Sequence, residues 1–251
     1  MTLEAFFAQN PSGALALSGG VDSSYLAWAA GKYGQSWRAY YVKAAFQPAF
    51  ELRDAERVAA LAGVALTVIE ADVLAVPEIA ANPENRCYFC KRLIFSAILE
   101  RAAADGCTLV IDGTNASDEV ADRPGMRALQ ELSVRSPLRE CGLTKSDVRE
   151  RSKAAGLFTW SKPSYACLAT RIPAGTAIAP EALAKIERGE DALFALGFTD
   201  FRIRLRGETA LLQFNEAQLD GALTRRAELL ERLSPLFPAV AVDLKPRRAS
   251  D

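Results

Sequence analysis

The stretch that most constrains this chain is Ser18-Gly19-Gly20-Val21-Asp22-Ser23-Ser24, set between an apolar run at Ala14–Leu17 and a helical pattern over Asp22–Lys32. Two glycines let the backbone turn tightly, so that successive N–H groups face one concavity, and the positive end of the following helix reinforces it. The serine hydroxyls supply further donors, and Asp22 offers a carboxylate to a magnesium ion carried by phosphates. The residues from Ser18 to Ser24 thus read as a phosphate cradle. A plain glycine turn between strand and helix is the other reading. The lysine-bearing P-loop and the Gly-x-Gly-x-x-Gly fingerprint are both absent.

The rest of the first two-thirds repeats the strand–helix alternation. Apolar runs at Ala39–Val42, Ala65–Ile69 and Thr108–Ile111 alternate with helical patterns at Phe50–Leu61 and about Asn85–Ala104. Such alternation predicts a doubly wound parallel sheet with helices on both faces. A helix over Thr144–Ala155 opens on a capping-box-like Thr144-x-x-Asp147 and stops at Gly156. The pattern then breaks between Trp160 and Pro180. Beyond it, a helix over Pro180–Leu196, strands at Phe201–Leu205 and Ala210–Phe214, a long helix over about Glu216–Leu233 and a strand at Ala239–Leu244 suggest a smaller αββαβ domain. The expected division is 1–165 and 166–251.

Composition narrows the chemistry. The 251 residues contain no histidine, which removes the imidazole base of Ser–His and Cys–His mechanisms and the commonest zinc ligand. A net charge of −1 gives no broad cationic field for nucleic acid or a membrane surface. No signal peptide or membrane-length apolar run is visible, and five cysteines is an odd number, so a cytoplasmic location with reduced thiols is expected.

One thiol sits in an unusual setting. Between Arg151 and Pro180 there is no acidic residue, while Arg151, Lys153, Lys162 and Arg171 are cationic, and Cys167 lies among them in Lys162-Pro163-Ser164-Tyr165-Ala166-Cys167-Leu168-Ala169-Thr170-Arg171. Nearby cations favour a thiolate; a buried, inert cysteine is the alternative. Cys87 and Cys90 form a C-x-x-C beside Arg86, Lys91 and Arg92, open to a redox, half-zinc or incidental reading, whereas Cys107 and Cys141 read as packing thiols. Arg202, Arg204 and Arg206 alternate with Ile203 and Leu205, so all three cations share one face of a strand, as an anion clamp or a solvated surface. Asp112, Asn115, Asp118 and Asp122 follow the fourth strand and could touch ribose or metal, or be solvated. Glu187, Glu190 and Asp191 share a helix face, open to a divalent-ion reading or a solvated one, and the solvated face is expected.

The Ser-Gly-Gly-x-Asp-Ser string resembles the signature of the PP-loop ATP pyrophosphatases. The segment around Cys167 is in turn similar to the sulfur-donor segment of the LarE family, ATP-dependent sacrificial sulfur transferases. Asp112-Gly113-Thr114-Asn115 leading to Asp122-Arg123-Pro124-Gly125, Val134-Arg135-Ser136-Pro137-Leu138 with Gly142-Leu143-Thr144-Lys145, and Phe201-Arg202-Ile203-Arg204 support the resemblance. It implies a PP-loop fold, with ATP bound by Ser18–Ser24 and Gly113 and Mg2+ at Asp22. It also implies that a carboxylate of pyridinium-3,5-biscarboxylic acid mononucleotide is adenylated and sulfurated toward the nickel-pincer nucleotide cofactor. Cys167 is then the sulfur-transferring residue, and Arg202 and Arg204 hold the substrate phosphate. Either Cys167 is itself consumed, leaving dehydroalanine, or Cys87, Cys90 and Cys167 carry a [4Fe–4S] cluster that binds a transferable sulfide. A small nucleotide substrate and a homo-oligomer are expected. A PP-loop thiolase acting on tRNA, or a nucleotide-binding module without turnover, are the competing classes.

Overall fold

The computed structural model describes residues 1–118 and 124–247. The chain divides into two compact units, Met1–Val73 with Asn85–Lys162, and Leu74–Glu84 with Pro163–Asp251.

In the first unit, helix α1 (Leu3–Gln9) is capped by the Thr2 side chain, and strand β1 (Ser12–Ala16) follows it. Then come α2 (Val21–Tyr33), β2 (Ser36–Lys43), α3 (Ala49–Ala62) and β3 (Ala65–Glu70). Among the described residues the four-stranded sheet runs β3-β2-β1-β4, all parallel, with β4 at Val110–Ile111. Alternate residues of one strand point to opposite faces. Leu15, Ala39, Tyr41 and Ile111 accordingly join Phe6, Leu26, Val58 and Val148 in one buried cluster. Ala14, Tyr40, Val42 and Val110 join Phe95, Ile98 and Leu129 in another. Burial on both faces is why β1, β4 and the Ala39–Val42 part of β2 read as continuous apolar runs rather than as alternating ones, whereas the edge strand β3 is only partly buried. The expected doubly wound α/β arrangement is present. β4 pairs over two residues, fewer than the apolar run at Thr108–Ile111, and α1 has no counterpart in the sequence reading.

The second face is covered by α5 (Arg86–Ala104) and α6 (Pro124–Glu131). A short α7 (Pro137–Glu140) leads to α8 (Lys145–Ala154), which opens on the capping box expected at Thr144 and Asp147: each side chain meets the other's backbone N–H. Gly156 follows its end at φ 70°, a left-handed position that glycine adopts without strain.

The second unit contains α9 (Pro180–Ala195), β5 (Phe201–Arg206), β6 (Thr209–Phe214), α10 (Glu216–Thr224), α11 (Arg226–Leu233) and β7 (Ala239–Val242). β5 and β6 form an antiparallel hairpin, while β7 runs parallel to β6. Leu193, Ile203, Leu212, Phe214 and Leu233 fill its core. The single long helix expected over Glu216–Leu233 breaks at Arg225. There the Thr224 hydroxyl bonds back to the carbonyls of Asp220 and Gly221, and the Arg225 guanidinium is taken by Leu196 O and Glu228. The unit also takes in the segment Leu74–Glu84, with its short helix α4 (Pro77–Ala80), from the middle of the first unit's chain. No described helix is long and apolar enough to cross a membrane.

Candidate functional site

In the first unit, β1 and β4 are neighbours, while the chain after β1 proceeds outward to β2 and β3 on the other side. Loops at such a switch point, at the carboxyl ends of parallel strands, form the ligand crevice of open α/β sheets. Ser18–Gly20 and Asp112–Asn115 are those loops. Ser23 ties the first together: its hydroxyl accepts from Ser18 N at 3.1 Å, lies 3.0 Å from Ser18 Oγ and donates to Gly20 O at 3.2 Å. Gly20 caps α2 without a side chain of its own, so the cap residue offers no acceptor to the first-turn N–H groups of the helix.

Two glycines make the space. Gly19 has φ 74°, and a Cβ there would stand 2.7 Å from Glu51 O. A Cβ on Gly113 would stand 2.8 Å from Ser23 N and 3.0 Å from its Cα, inside the concavity at the start of α2. A side chain at either position would distort or fill the cradle.

Charge is arranged around the same turn. Lys145 Nζ lies 2.5 Å from Asp22 Oδ2, and Asn115 Nδ2 donates to Asp22 Oδ1 at 3.4 Å. Burial pushes the Asp22 carboxyl up, and Lys145 pulls it only partly back. Lys162 Nζ lies 2.5 Å from Asp54 Oδ2 and donates to Gly19 O at 3.3 Å, so this cation, grouped with Cys167 in the sequence reading, rests on the phosphate loop. The sequence reading assigns neither lysine to this site. The signal for Lys145 is its place at the first turn of a capped helix, which directs a cation back toward the strand ends.

The acidic loop residues are committed to the loop's own shape. Asp112 is buried and accepts from Thr114 Oγ1 at 2.5 Å and Ser136 Oγ at 2.6 Å. Asp118 Oδ2 accepts from Asn115 N at 2.9 Å. Asn115 hydrogen-bonds to Asp22, and Asp122 lies outside the described residues.

In the second unit, Cys167 is half-buried and caps a short 3-10 turn over Leu168–Arg171, its carbonyl accepting from Thr170 N at 3.0 Å and Thr170 Oγ1 at 2.9 Å. Arg171 is fully buried: it donates to Ala166 O at 2.9 Å and pairs with Glu190, Nε to Oε1 2.8 Å and Nη2 to Oε2 3.0 Å. Burial works against the Arg171 cation, yet its bond to Glu190 prevails and holds its pKa above the ordinary value. Glu190 also accepts from the Tyr165 hydroxyl and from Ile203 N. The expectation that Glu190 faces water is therefore corrected: it is 1% exposed. Its position on the apolar stripe Leu183–Ile186–Glu190–Leu193 is the physical reason, since spacings of three and four put all four on one side of α9.

Arg202 and Arg204 converge on the same loop. Arg202, 4% exposed, donates to Ser164 O and to Phe201 O. Burial, with the Arg171 charge, lowers its pKa to about 10. Arg204 donates to Thr170 O and, at 3.1 Å, to Gln213. Arg206 is exposed.

All five cysteines are thiols. Cys87 and Cys90 lie one turn apart at the start of α5, Cys87 exposed and Cys90 half-buried, with Arg86 Nη2 3.9 Å from Cys87 Sγ. Cys107 and Cys141 pack against the two apolar clusters of the first unit. Among the described residues, neither unit taken by itself gathers three or more Cys, Asp or Glu side chains as a metal-ion site.

Residues 5–186 match the asparagine synthase family. The chain is 37% identical over 220 residues to an uncharacterized protein of Synechocystis, covering 86% of this chain and 81% of that one. It is 31% identical over 174 residues to the pyridinium-3,5-bisthiocarboxylic acid mononucleotide synthase of Lactiplantibacillus plantarum, covering 69% of this chain and 63% of the synthase. An uncharacterized protein of Methanocaldococcus jannaschii is 28% identical over 236 residues, covering 94% of this chain and 90% of that one. With the glycine-walled cradle and the Cys167 loop in place, the chain belongs to the asparagine synthase family of PP-loop proteins, in its LarE branch.

Proposed function

We propose that the protein is an ATP-dependent, AMP-forming sulfur transferase that acts on pyridinium-3,5-biscarboxylic acid mononucleotide in the making of the nickel-pincer cofactor. The family supports an ATP-using enzyme, and the Lactiplantibacillus relative is named for the bisthio product of such a reaction. The observation that carries the reading is the cradle itself: a helix start capped by glycine with no side-chain cap bond, walled by Gly19 and Gly113, with Asp22 and Lys145 at its rim.

In this scheme the cradle N–H groups hold the ATP phosphates, and a substrate carboxylate oxygen attacks the α-phosphorus. The bond from that phosphorus to the bridging oxygen breaks, and pyrophosphate leaves. Asp22 would hold Mg2+, which supplies charge neutralisation when bound; the carboxylate already attracts a cation, since Lys145 stands 2.5 Å away. The Cys167 thiolate then attacks the acyl carbon, and AMP departs with the carboxylate oxygen. Loss of the Cα proton breaks the Cβ–Sγ bond, giving a thiocarboxylate and dehydroalanine at position 167. Arg202 and Arg204 hold the substrate phosphate in this reading, releasing the carbonyls of Ser164 and Thr170.

Cys87 and Cys90, one exposed and one a turn away, favour a second version of the sulfur source. With Cys167 they would hold a [4Fe–4S] cluster, which when bound would supply an external sulfide and spare the protein sulfur. Intact mass after one turnover separates the two. A loss of about 34 Da, one hydrogen sulfide removed from a nucleophilic cysteine, identifies sacrifice; unchanged mass with absorbance near about 400 nm after anaerobic reconstitution with iron and sulfide identifies the cluster. Pyrophosphate release that is independent of added mononucleotide would refute the adenylation scheme itself.

A further inference from the structure

Asn82 follows α4 in a left-handed backbone conformation, φ 55°, which asparagine tolerates better than most residues. Its side chain is buried, and Nδ2 stands 2.8 Å from Pro173 O, 3.1 Å from Thr176 O and 3.4 Å from Ile172 O. Its own carbonyl accepts from Gly175 N at 2.7 Å, and two residues earlier Ala80 O accepts from Ile178 N at 2.8 Å. A neutral amide suits this place, since it brings two N–H donors to converging carbonyls without a charge to desolvate. The turn it gathers begins where the 3-10 turn capped by Cys167 ends.

We propose that Asn82 is a positioning residue for sulfur transfer, fixing the exit of the Cys167 loop so that the thiol is presented in one orientation. The proposal rests on the reading of Cys167 as the sulfur-transferring residue. Other anchors of this loop come from nearby in the chain or from the adjoining strand: Arg171 holds Ala166 O, Arg202 holds Ser164 O, and Arg204 holds Thr170 O. Asn82 holds the far end from 90 residues away. With the amide removed, residues 172–178 keep the backbone bonds from Gly175 N and Ile178 N but lose the Nδ2 contacts to the carbonyls of Ile172, Pro173 and Thr176, which lie directly at the exit of the short turn carrying Cys167.

Two full-length variants test this. Asn82→Gly keeps the left-handed backbone and deletes the amide; Asn82→Asp keeps the shape and turns a carboxylate oxygen toward the carbonyls. Iodoacetamide labelling, followed peptide by peptide by mass spectrometry, is expected to show Cys167 reacting about fivefold faster or more in either variant, the factor that corresponds to losing roughly one hydrogen bond. Labelling of Cys107 is expected to stay unchanged. Amide exchange at Gly175 and Ile178 should quicken, and kcat for sulfur transfer should fall while KM for ATP stays put. Wild-type labelling of Cys167 in the folded variants, or equal acceleration at Cys107, overturns the proposal. The Cys167 reading fails separately, if Cys167→Ser still transfers sulfur, because the labelling is read on the native cysteine.

Discussion

Arg171 and Glu190 meet as a bidentate pair from which water is excluded, one side chain 0% and the other 1% exposed. The pair does more than neutralise itself. Through Arg171 it holds Ala166 O, through Glu190 it holds the Tyr165 hydroxyl and Ile203 N, and so it joins the Cys167 loop to α9 and β5. Replacing one partner leaves the other as an uncompensated buried charge, which costs about 3–5 kcal/mol. Glu190→Ala should therefore lower the unfolding free energy of the second unit by that order, as read by urea titration. The double variant Arg171→Met with Glu190→Leu should lose less than the two single changes added together; full additivity would mean that the pair carries no coupling.

At the phosphate cradle, Gly113→Ala is expected to raise KM for ATP about tenfold or more, since the new methyl group would sit 2.8 Å from Ser23 N and displace a donor contact to charge, one worth roughly 1.5–3 kcal/mol. Calorimetric titration with ATP reads the change directly. Binding as tight as wild type would show that the phosphates do not reach the start of α2.

Asp22 gives a prediction in pH. Its carboxyl is raised by burial despite Lys145, so the folded state binds this proton more readily than the unfolded chain does. The ionised group then costs stability at neutral pH, and the cost is relieved as pH falls through the raised folded value. Asp22→Asn should melt higher than wild type at pH 7, with the difference shrinking on acidification, while pyrophosphate release is lost. A variant less stable at neutral pH would contradict the sign.

Arg204 tests the phosphate clamp. Because it already donates to Thr170 O and Gln213, Arg204→Glu should raise KM for the mononucleotide steeply and leave ATP binding intact. Initial rates over a range of each substrate separate the two; unchanged kinetics would leave Arg204 with a role in loop packing alone.

Bulk tRNA offers a cheap contrast between substrate classes. With a net charge of −1, the protein should produce no gel shift at physiological salt, because RNA binding draws on many phosphate contacts. A salt-sensitive shift would revive the thiolase reading.

Much of this molecule could be read from residue order. The cradle was legible because a glycine pair followed by Asp22 and serines leaves few alternatives between a strand and a helix, and the Thr144 capping box because its geometry is local. The features that escaped reading depend on distant partners. Glu190 looks like one more acid beside Glu187 and Asp191 on α9 until Arg171 meets it inside the unit. Lys162 lies five residues before Cys167 in sequence, yet its ammonium is drawn to Asp54 and Gly19 O, 108 and 143 positions away. Arg202 and Arg204 alternate as a strand face should, but the carbonyls of Ser164 and Thr170 that they reach belong to a loop whose path no periodicity encodes.

The borrowed segment Leu74–Glu84 bears on how this protein is made and how it could be exchanged. On the ribosome those residues emerge long before Pro163, and the contact from Asn82 to Ile172 closes only after 90 further positions have been synthesised. Long-range closure of that kind comes late, after the more local parts of the chain have organised. A genetic crossover near position 163 would hand a recipient the carboxyl-terminal stretch without the strap that completes it, so a working transplant needs two cuts and two grafts.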